Sequence, residues 1–299
     1  MPHQVGYCCI NVSLNKSGTK TGRTMRKATF EERGISYASE LALQNALDLV
    51  KILRWNAKNN IHVFRVGSGI FPWATEYDLF DLPDFDKISD TLANAGWIAR
   101  RTGQRLSAHP DHFVKLASTK PHVVDNSITD LELHSTVFDL MELEQSYYNP
   151  INIHVGMNFS TDVVDRWLAS YSRLSDGCKS RLVVENDDKA NAFSVQQLYD
   201  HLHSVIDIPL TFDYFHHRFH PDGLDSQQAA NLAASTWPDG ITPLFHYSES
   251  KNLNENVNGN PRAHADYVFN PIDDYGLTID IDLEAKAKEL ALFKYREIA

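Results

Sequence analysis

The sequence predicts an α/β protein, and the simplest architecture for it is a single TIM (β/α)8 barrel. Short apolar segments recur eight times along the chain, and segments with apolar residues at helical spacing lie between them. This alternation indicates βαβ units and a parallel sheet. The 299 residues match the size of one barrel. A doubly wound open sheet is the alternative, but no Gly-x-Gly-x-x-Gly motif follows any strand.

Each element follows from a local pattern, and together the elements predict one domain over residues 1–299. The apolar segments predict strands at 6–10, 62–66, 105–108, 151–155, 181–184, 209–214, 242–247 and 277–283. The helical spacing predicts helices at about 43–53, 86–102, 127–146, 161–175, 194–205, 226–235 and 284–298. The long connections 11–35 and 248–275 are expected to be functional loops on one face.

The overall charge argues mildly against nucleic acid as a partner, because 28 Lys and Arg stand against 39 Asp and Glu, a net charge of −11. A local patch nevertheless decides phosphate binding. One such patch spans residues 16–27, which contain no acid. This basic segment either contacts phosphates or is a flexible, solvated loop. Its cations are Lys16, Lys20, Arg23, Arg26 and Lys27.

Nothing in the sequence predicts a membrane or secreted protein. No apolar run is long enough to span a bilayer, and the N-terminal MPHQVGYCC lacks the pattern of a signal peptide. Cys8, Cys9 and Cys178 make no disulfide framework and no zinc-site spacing. We therefore expect a cytoplasmic protein.

The segment LTFDYFHHRFHP, residues 210–221, combines a strand end with an Asp and three His. Side chains three apart point to opposite faces of a straight strand, so Asp213 and His216 can share a metal only if the chain leaves the strand near Phe215. A His-rich surface loop is the alternative interpretation.

Other strand ends carry similar residues. In a TIM barrel the carboxyl ends of the strands meet at one mouth, where active sites are built. An isolated His at one strand end is better explained by ordinary core or surface packing, but chance explains six successive strands poorly. Such a cluster suits two or three divalent ions. Its predicted members are His109, His154, Glu185, Asp213, His216, His246 and Glu284, with Glu76 and His264 in nearby loops.

Nearly the whole chain resembles the UV damage endonucleases, whose relatives by fold include endonuclease IV and the xylose-isomerase-like barrels. The resemblance is carried by GYCCINVSL, RTMR followed by EER, ILRWNAKNNIHVFRVGSGIFPWA, GQRLSAHP, IHVG, VVENDD, FDYFHH, FHYS, PRAHADYV and LEAK. It implies a barrel that nicks DNA immediately 5′ of UV photoproducts, leaves a 3′-hydroxyl and uses manganese or similar ions.

The resemblance also implies roles for individual residues. The metal ligands it implies are the seven strand-end residues above, and His264 occupies a matching active-site position. The catalytic residues it implies are Glu185, Asp213, His264 and Glu284. Tyr7 and Asn11 match positions that contact the damaged nucleotides, and His112-Phe113 matches a pair that probes the lesion.

This chain departs from the family pattern at three places. Glu76 stands where a metal-binding His is usual, a change that favours harder ions such as Mn²⁺ over Zn²⁺. Leu244 replaces a modified, metal-bridging Lys, and this puts the number of ions in doubt. His112-Phe113 replaces Gln-Tyr.

The last strand reads Asp280, Ile281, Asp282, Leu283, Glu284, so its three acids should share one face. Asp282 then lies one layer below the mouth, where an unpaired carboxylate is costly. It either supplies the negative charge that the modified Lys would give, or it hydrogen-bonds a neighbouring barrel group.

These observations predict a metal-dependent DNA repair endonuclease that acts on damaged double-stranded DNA as a monomer. Two or three divalent ions are expected, Mn²⁺ first, with Zn²⁺, Mg²⁺ or Co²⁺ as alternatives. A sugar isomerase or epimerase on the same barrel explains the metals but leaves the basic segment and the aromatic residue after His109 without a role. A relative that binds damage without cutting is the third possibility, because Leu244 cannot bridge ions.

Overall fold

All eight predicted strands form and pair in parallel around one barrel, which confirms the predicted fold. The computed structural model describes residues 3–255 and 258–299. The strand order is β6-β5-β4-β3-β2-β1-β8-β7. At the open seam, His246 N donates to Phe212 O at 3.0 Å and so joins the ends of β6 and β7. The strands are β1 (His3–Cys8), β2 (Val63–Val66), β3 (Arg105–Ala108), β4 (Ile151–His154), β5 (Leu182–Glu185), β6 (Leu210–Thr211), β7 (Leu244–Tyr247) and β8 (Ile279–Leu283).

Helices cover the outside of the barrel through their apolar faces. In α3, for example, Ile88, Leu92, Ala95 and Ala99 are buried at the expected three- and four-residue spacing. The helices are α1 (Val12–Asn15), α2 (Lys27–Lys58), α3 (Phe85–Arg101), α4 (Pro121–Leu140), α5 (Thr161–Tyr171), α6 (Asp176–Lys179), α7 (Val195–Leu198), α8 (Ser204–Ile206), α9 (Tyr214–Phe219), α10 (Ser226–Ala234), α11 (Lys251–Asn254) and α12 (Glu289–Tyr295). None of them, within the described chain, has the length and apolar character needed to cross a bilayer.

Two helices differ from the prediction. Helix α2 begins at Lys27, inside the segment expected to be a loop, and its only break is Gly34, where φ is 64°. The first turn of α2 is polar, so the pattern of apolar residues does not reveal where this helix begins. Helix α9 begins directly after β6, where a longer strand was expected.

Side chains two residues apart on each strand point into the barrel and form layers there. Near the bottom, Leu244 packs with Val63 and Val183, and Arg105 Nη1 lies 2.9 Å from Asp280 Oδ2. The next layer contains Arg65, Ser107 and Asp282. The strand-end His and carboxylate residues lie above it, so the layers below the mouth contain both apolar side chains and buried ion pairs.

Candidate metal centre and active site

Glu185 ends β5 and lies at the centre of four histidines. It is fully buried. Its Oε2 lies 3.0 Å from His246 Nδ1, 3.2 Å from His109 Nε2 and 3.7 Å from His154 Nε2. Its Oε1 lies 3.2 Å from His216 Nδ1. One carboxylate therefore meets imidazoles that follow β3, end β4, belong to β7 and lie in α9.

These side chains form two groups, each able to hold one ion. His109, Glu185 and His246 form the first, and His154, Glu185 and His216 form the second, with the ligand atoms of each group within 4.8 Å of one another. Because both groups share Glu185, its carboxylate can bridge two ions. Imidazole and carboxylate ligands suit borderline divalent metals.

Unpartnered atoms in the cluster support this assignment. Among the described residues, Glu185 Oε1, Asp213 Oδ2 and His246 Nδ1 are buried and have no partner in hydrogen-bonding geometry. Buried polar atoms are otherwise nearly always paired, because an unmade hydrogen bond is costly. Metal ions at these positions would satisfy the orphaned atoms, so the residues present fit the expected divalent ions.

Asp213 and His216 converge because the chain turns into a helix. Asp213 has extended backbone angles (φ −97°, ψ 114°) and caps α9, with Oδ1 accepting from His216 N at 2.7 Å. His216 Nδ1 lies 3.8 Å from Asp213 Oδ2. The predicted departure from the strand therefore occurs at Asp213 itself, two residues earlier than expected.

The charges of the cluster shift its acid–base properties in opposite directions. Burial alone would raise the pKa of Glu185, but the surrounding imidazoles, His246 and His154 first and then His109 and His216, outweigh it and hold that pKa well below its usual value. Burial raises the pKa of Asp213 to about 8, and the charges of Glu185 and Glu284 add to this increase. The pKa values of these two carboxyl groups are thus shifted in opposite directions, that of Glu185 downward and that of Asp213 upward.

Arg65 on β2 is a buried cation under the cluster. Its Nη1 lies 2.5 Å from Glu284 Oε1, its Nη2 lies 2.8 Å from His246 Nε2, and its Nε lies 3.5 Å from Asp282 Oδ2. Burial would raise the pKa of Glu284, but the charges of Arg65 and His246 lower it. Glu284 therefore pairs with a guanidinium and lies in neither metal group.

Asp282 makes the contact that the second interpretation predicted. Its Oδ2 accepts from Ser107 Oγ at 2.8 Å, and it lies in neither metal group. Leu244 and His246 both face the barrel interior, as their spacing predicts, but Leu244 is buried in the apolar layer below. The carboxylate of Asp282 thus accepts a hydrogen bond from Ser107 and forms an ion pair with Arg65, one layer below the cluster.

The two loop residues predicted near the cluster have different outcomes. His264 Nδ1 lies 3.7 Å from Glu284 Oε2, at the edge of the cluster. Glu76 is exposed on a 3-10 turn, Ala74–Glu76, and lies in neither metal group, so its prediction as a ligand is not supported by the structure. The physical reason is the preceding Trp73, which stacks on Phe30 of α2 and donates to Met25 O, holding this turn against that helix.

Two cavities flank the loop that follows β3. The larger, about 580 Å³, is lined by Thr19–Gly22, Gly67–Gly69, Arg65 and Glu284. The smaller, about 220 Å³, is lined by His154, Asp187, Lys115 and Lys189. Residues 109–112 line both cavities, and Phe113 beside them is 72% exposed. An aromatic side chain therefore projects next to the wall that separates the two cavities.

The basic segment is only partly free to meet a ligand. Lys16, Lys20, Arg26 and Lys27 are exposed. Arg23 instead lies 2.6 Å from the buried Asp48 of α2, so its guanidinium already has a partner within the protein, and its contact with DNA stays a prediction. The sequence pattern missed this pairing because the acid comes from a helix 25 positions later.

The first strand also differs from expectation. Tyr7 points outward, is fully buried against Phe64 and donates to Asn56 Oδ1 at 2.8 Å. Its ring is covered in this structure, and its contact with damaged nucleotides stays a prediction. Asn11 lines the larger cavity but donates to Tyr7 Oη and caps α1.

Sequence reasoning missed three polar residues of the site: Arg65, Asn152 and Asp187. Asn152 donates to Glu185 Oε2, and Asp187 lies 3.5 Å from His154 Nδ1. For Arg65 and Asn152 a signal existed, since each lies on the inward face of its strand, and Asn152 is two residues before His154.

The fold and the cluster together define a TIM-barrel protein with a cluster of His and carboxylate side chains at its mouth that could hold metal ions. Comparison with known proteins narrows this class. The model of the UV-endonuclease UvdE family matches residues 3–298, and the chain belongs to that family.

Two relatives illustrate the likeness, and a third structure shares the fold alone. UV-damage endonuclease of Schizosaccharomyces pombe is 35% identical over 97% of this chain, which spans 50% of that protein's length. The crystal structure of SacUVDE matches with a TM-score of 0.84 and 31% identity, covering 99% of this chain and 97% of that one. Endonuclease IV from Thermus thermophilus matches at 0.56 and 14% identity, over 83% of this chain and 93% of that one, which shows the fold alone.

Proposed function

We propose that this protein is a metal-dependent DNA repair endonuclease that nicks one strand immediately 5′ of UV photoproducts and leaves a 3′-hydroxyl. The observation that carries the proposal is the ring of four histidines around the buried Glu185 at the barrel mouth. Membership of the UV-endonuclease family supports the choice of substrate.

The two ligand groups would each hold one divalent ion, with Glu185 between them and Asp213 and Glu284 beside them. Bound divalent ions at such sites lower the pKa of water and neutralise charge on a reacting phosphate. The chain's own residues orient this site. Asn152 and the surrounding imidazoles fix the Glu185 carboxylate, and Arg65 fixes Glu284 and His246. Mn²⁺ is the ion proposed first, since the carboxylates suit it, and Zn²⁺, which the imidazoles suit, is the alternative.

Damaged double-stranded DNA would lie across the two cavities. The exposed cations Lys16, Lys20, Arg26 and Lys27 would contact backbone phosphates beside the larger cavity. The exposed Phe113, whose neighbour His112 stacks on it with ring centroids 4.1 Å apart, would fill the gap left by unstacked bases. Unstacked nucleotides would then enter the cavities on either side of this pair.

We also propose that the protein acts as a monomer in the cytoplasm. The mouth of the barrel is built from residues of one chain, so the site needs no second subunit. Light scattering of the protein alone and with a duplex tests this, and a dimer required for incision would contradict it.

The alternative functions make different predictions. Several sugar epimerases share the barrel, but at 8–13% identity their likeness shows the fold alone. A sugar enzyme has no use for an exposed aromatic pair beside a cationic segment. A protein that binds damage without cutting would retain the cavities but has no need of a buried carboxylate that joins two metal groups.

One incision assay separates these functions. A 5′-labelled duplex with one pyrimidine dimer is incubated with the protein and Mn²⁺, Zn²⁺, Mg²⁺ or Co²⁺, and the product is mapped to the nucleotide. We expect one product ending immediately 5′ of the dimer, extendable by a polymerase because its 3′-hydroxyl is free, and abolished by EDTA. A gel shift without a product would support binding alone, and equal cutting of intact DNA would contradict the proposal.

A further inference from the structure

Helix α2 presents two buried polar residues, Asn45 and Asp48, to the basic segment that crosses the barrel mouth. We propose that they are positioning residues, which fix the Thr19–Gly22 wall of the larger cavity and thereby set the shape that admits a lesion. Neither side chain lines the cavity itself. This inference rests on the proposed function for its ligand, but not for the tethering of the wall.

Asp48 anchors the basic segment through one oxygen. The residue is 1% exposed. Its Oδ2 accepts from Lys20 N at 2.9 Å and lies 2.6 Å from Arg23 Nη2. Its Oδ1 accepts from Lys51 Nζ at 2.7 Å on the outer side of the helix. A buried carboxylate is costly unless it is paired, and these contacts pair it with the backbone and a cation of the segment.

Asn45, one turn earlier, ties the same segment to the loop after β2. Its Oδ1 accepts from Arg23 N at 2.9 Å. Its Nδ2 lies within hydrogen-bonding distance of three carbonyl oxygens, Arg23 O at 3.1 Å, Gly69 O at 2.9 Å and Ile70 O at 3.2 Å. The carboxamide thus links two segments that are distant in the sequence, the basic segment and the loop after β2, and both segments line the cavity.

Arg23, within the basic segment itself, adds further contacts to those of Asn45 and Asp48. Its Nη2 donates to Gly18 O at 2.7 Å, and its Nη1 donates to Lys20 O. The guanidinium therefore closes residues 18–23 into a fixed turn while it pairs with Asp48. A cation that the sequence pattern assigns to DNA instead holds the other cations in place.

The loop after β2 forms a second wall of the cavity at Gly67–Gly69, and it approaches the Thr19–Gly22 wall so closely that no side chain fits between them. A Cβ atom added to Gly69 would lie 2.9 Å from Gly22 Cα, closer than real contacts of this kind. The Thr19–Gly22 wall is therefore held between Asn45 and Asp48 on one side and this contact on the other. A wall ordered before binding avoids the entropy cost of ordering it around the ligand.

Hydrogen exchange of the free protein tests the tether without DNA. In the wild type, the amides of Lys20 and Arg23 should exchange slowly, because each is bonded to a buried side chain. Asp48→Asn keeps the size of the side chain but removes its charge, and Asn45→Ala removes all four contacts. We expect exchange across residues 16–24 to accelerate at least tenfold in Asn45→Ala and less in Asp48→Asn. Lys51→Ala, which removes a contact to the same carboxylate on the outer side, is the matched control and should leave this exchange unchanged.

Binding of irradiated and intact duplexes then tests the consequence. Displacing a positioning element by about 1 Å can cost as much as two orders of magnitude in a shaped site. We expect Asn45→Ala to lower the affinity ratio of irradiated to intact duplex about tenfold, while affinity for intact duplex and the melting temperature of the barrel change little.

The two measurements can contradict different parts of the inference. If the 16–24 amides exchange as in the wild type in both variants, the positioning role is overturned whatever the DNA result. If exchange accelerates but the affinity ratio is unchanged, the wall is tethered but does not select the lesion, and the inference is overturned. A wild-type protein that shows no preference for irradiated DNA would instead contradict the proposed function. Gly69→Ala provides a second route, since it should separate the walls and lower the same ratio without touching either helix residue.

Discussion

At the scale of single residues, Asp213 shows how burial couples acid–base behaviour to stability. Burial raises its pKa to about 8, whereas an Asp in an unfolded chain titrates near ~3.9. Between these values the folded chain binds more protons than the unfolded chain, so the stability of the metal-free protein falls as the pH rises. The raised pKa of His216, which the charges of Asp213 and Glu185 maintain despite burial, acts in the same direction.

We therefore predict that the free energy of unfolding, measured by urea denaturation in EDTA, decreases from pH 7 to pH 8. This range lies above the unfolded pKa of His, ~6.5, below which the lowered pKa values of His154, His217 and His264 make stability rise with pH. Asp213→Asn keeps the helix cap and should flatten this dependence. The lowered pKa of Glu185 stabilises the fold above its unfolded value of ~4.3 and contributes no slope in this range. Stability that rises toward pH 8 in EDTA would contradict the assignment.

Asp282 allows a second prediction at this scale. Its bond to Ser107 and its place beside Arg65 make it part of the support under the ligands. Asp282→Asn should therefore retain the metal content of the wild type and cost about 1–3 kcal/mol of stability, the range for a buried hydrogen bond to a charged group. Metal analysis decides, because loss of one ion per chain would show that Asp282 compensates for the lysine that Leu244 replaces.

At the scale of elements, the loop after β3 carries the exposed Phe113 between two cavities. Stacking of an aromatic ring on a base contributes ~1–3 kcal/mol. Phe113→Ala should thus weaken binding to a lesion-containing duplex by about tenfold and binding to intact duplex much less. Trp97→Ala, which removes an exposed aromatic ring from α3, is the control. An equal loss on both duplexes would show that Phe113 only packs.

The basic segment leads to a salt-dependence prediction that separates its cations. Replacing Lys16, Lys20, Arg26 and Lys27 together by Ala should weaken binding to damaged and intact duplex alike and reduce the salt slope by about one for each phosphate that is no longer neutralised. Lys58→Ala with Arg101→Ala removes two exposed cations at the opposite end of the barrel and is the control. An unchanged slope in the fourfold variant would mean that the segment is only a solvated surface.

At the scale of the whole molecule, the sequence predicts the features that depend on the periodicity of apolar residues. The eight strands, their inward faces and the strand-end ligands His109, His154, Glu185 and His246 follow from alternation and from the convergence of parallel strands. Local patterns within a single sequence are enough to predict these elements. The three acids of β8 also share one face, as their spacing requires.

The sequence does not predict the direction of a side chain where tertiary contacts decide it. Glu76 follows a turn that Trp73 holds against α2, Arg23 pairs with an acid from a distant helix, and Tyr7 points outward to Asn56. No local pattern encodes these partners. The same limit hid Asn45 and Asp48, whose buried polar groups are explained only by the segment that they hold.

The central claim is that Glu185 joins two metal groups that cut DNA. The most direct test compares wild type, Glu185→Gln and the control Asp90→Asn, an exposed acid of α3, for metal content, incision and binding of irradiated duplex. Glu185→Gln keeps the side-chain shape, and we expect it to lose both ions and to incise at least a thousandfold more slowly, roughly the loss of a metal-activated step. It should still bind the lesion. Full metal content with wild-type incision in Glu185→Gln would contradict the account.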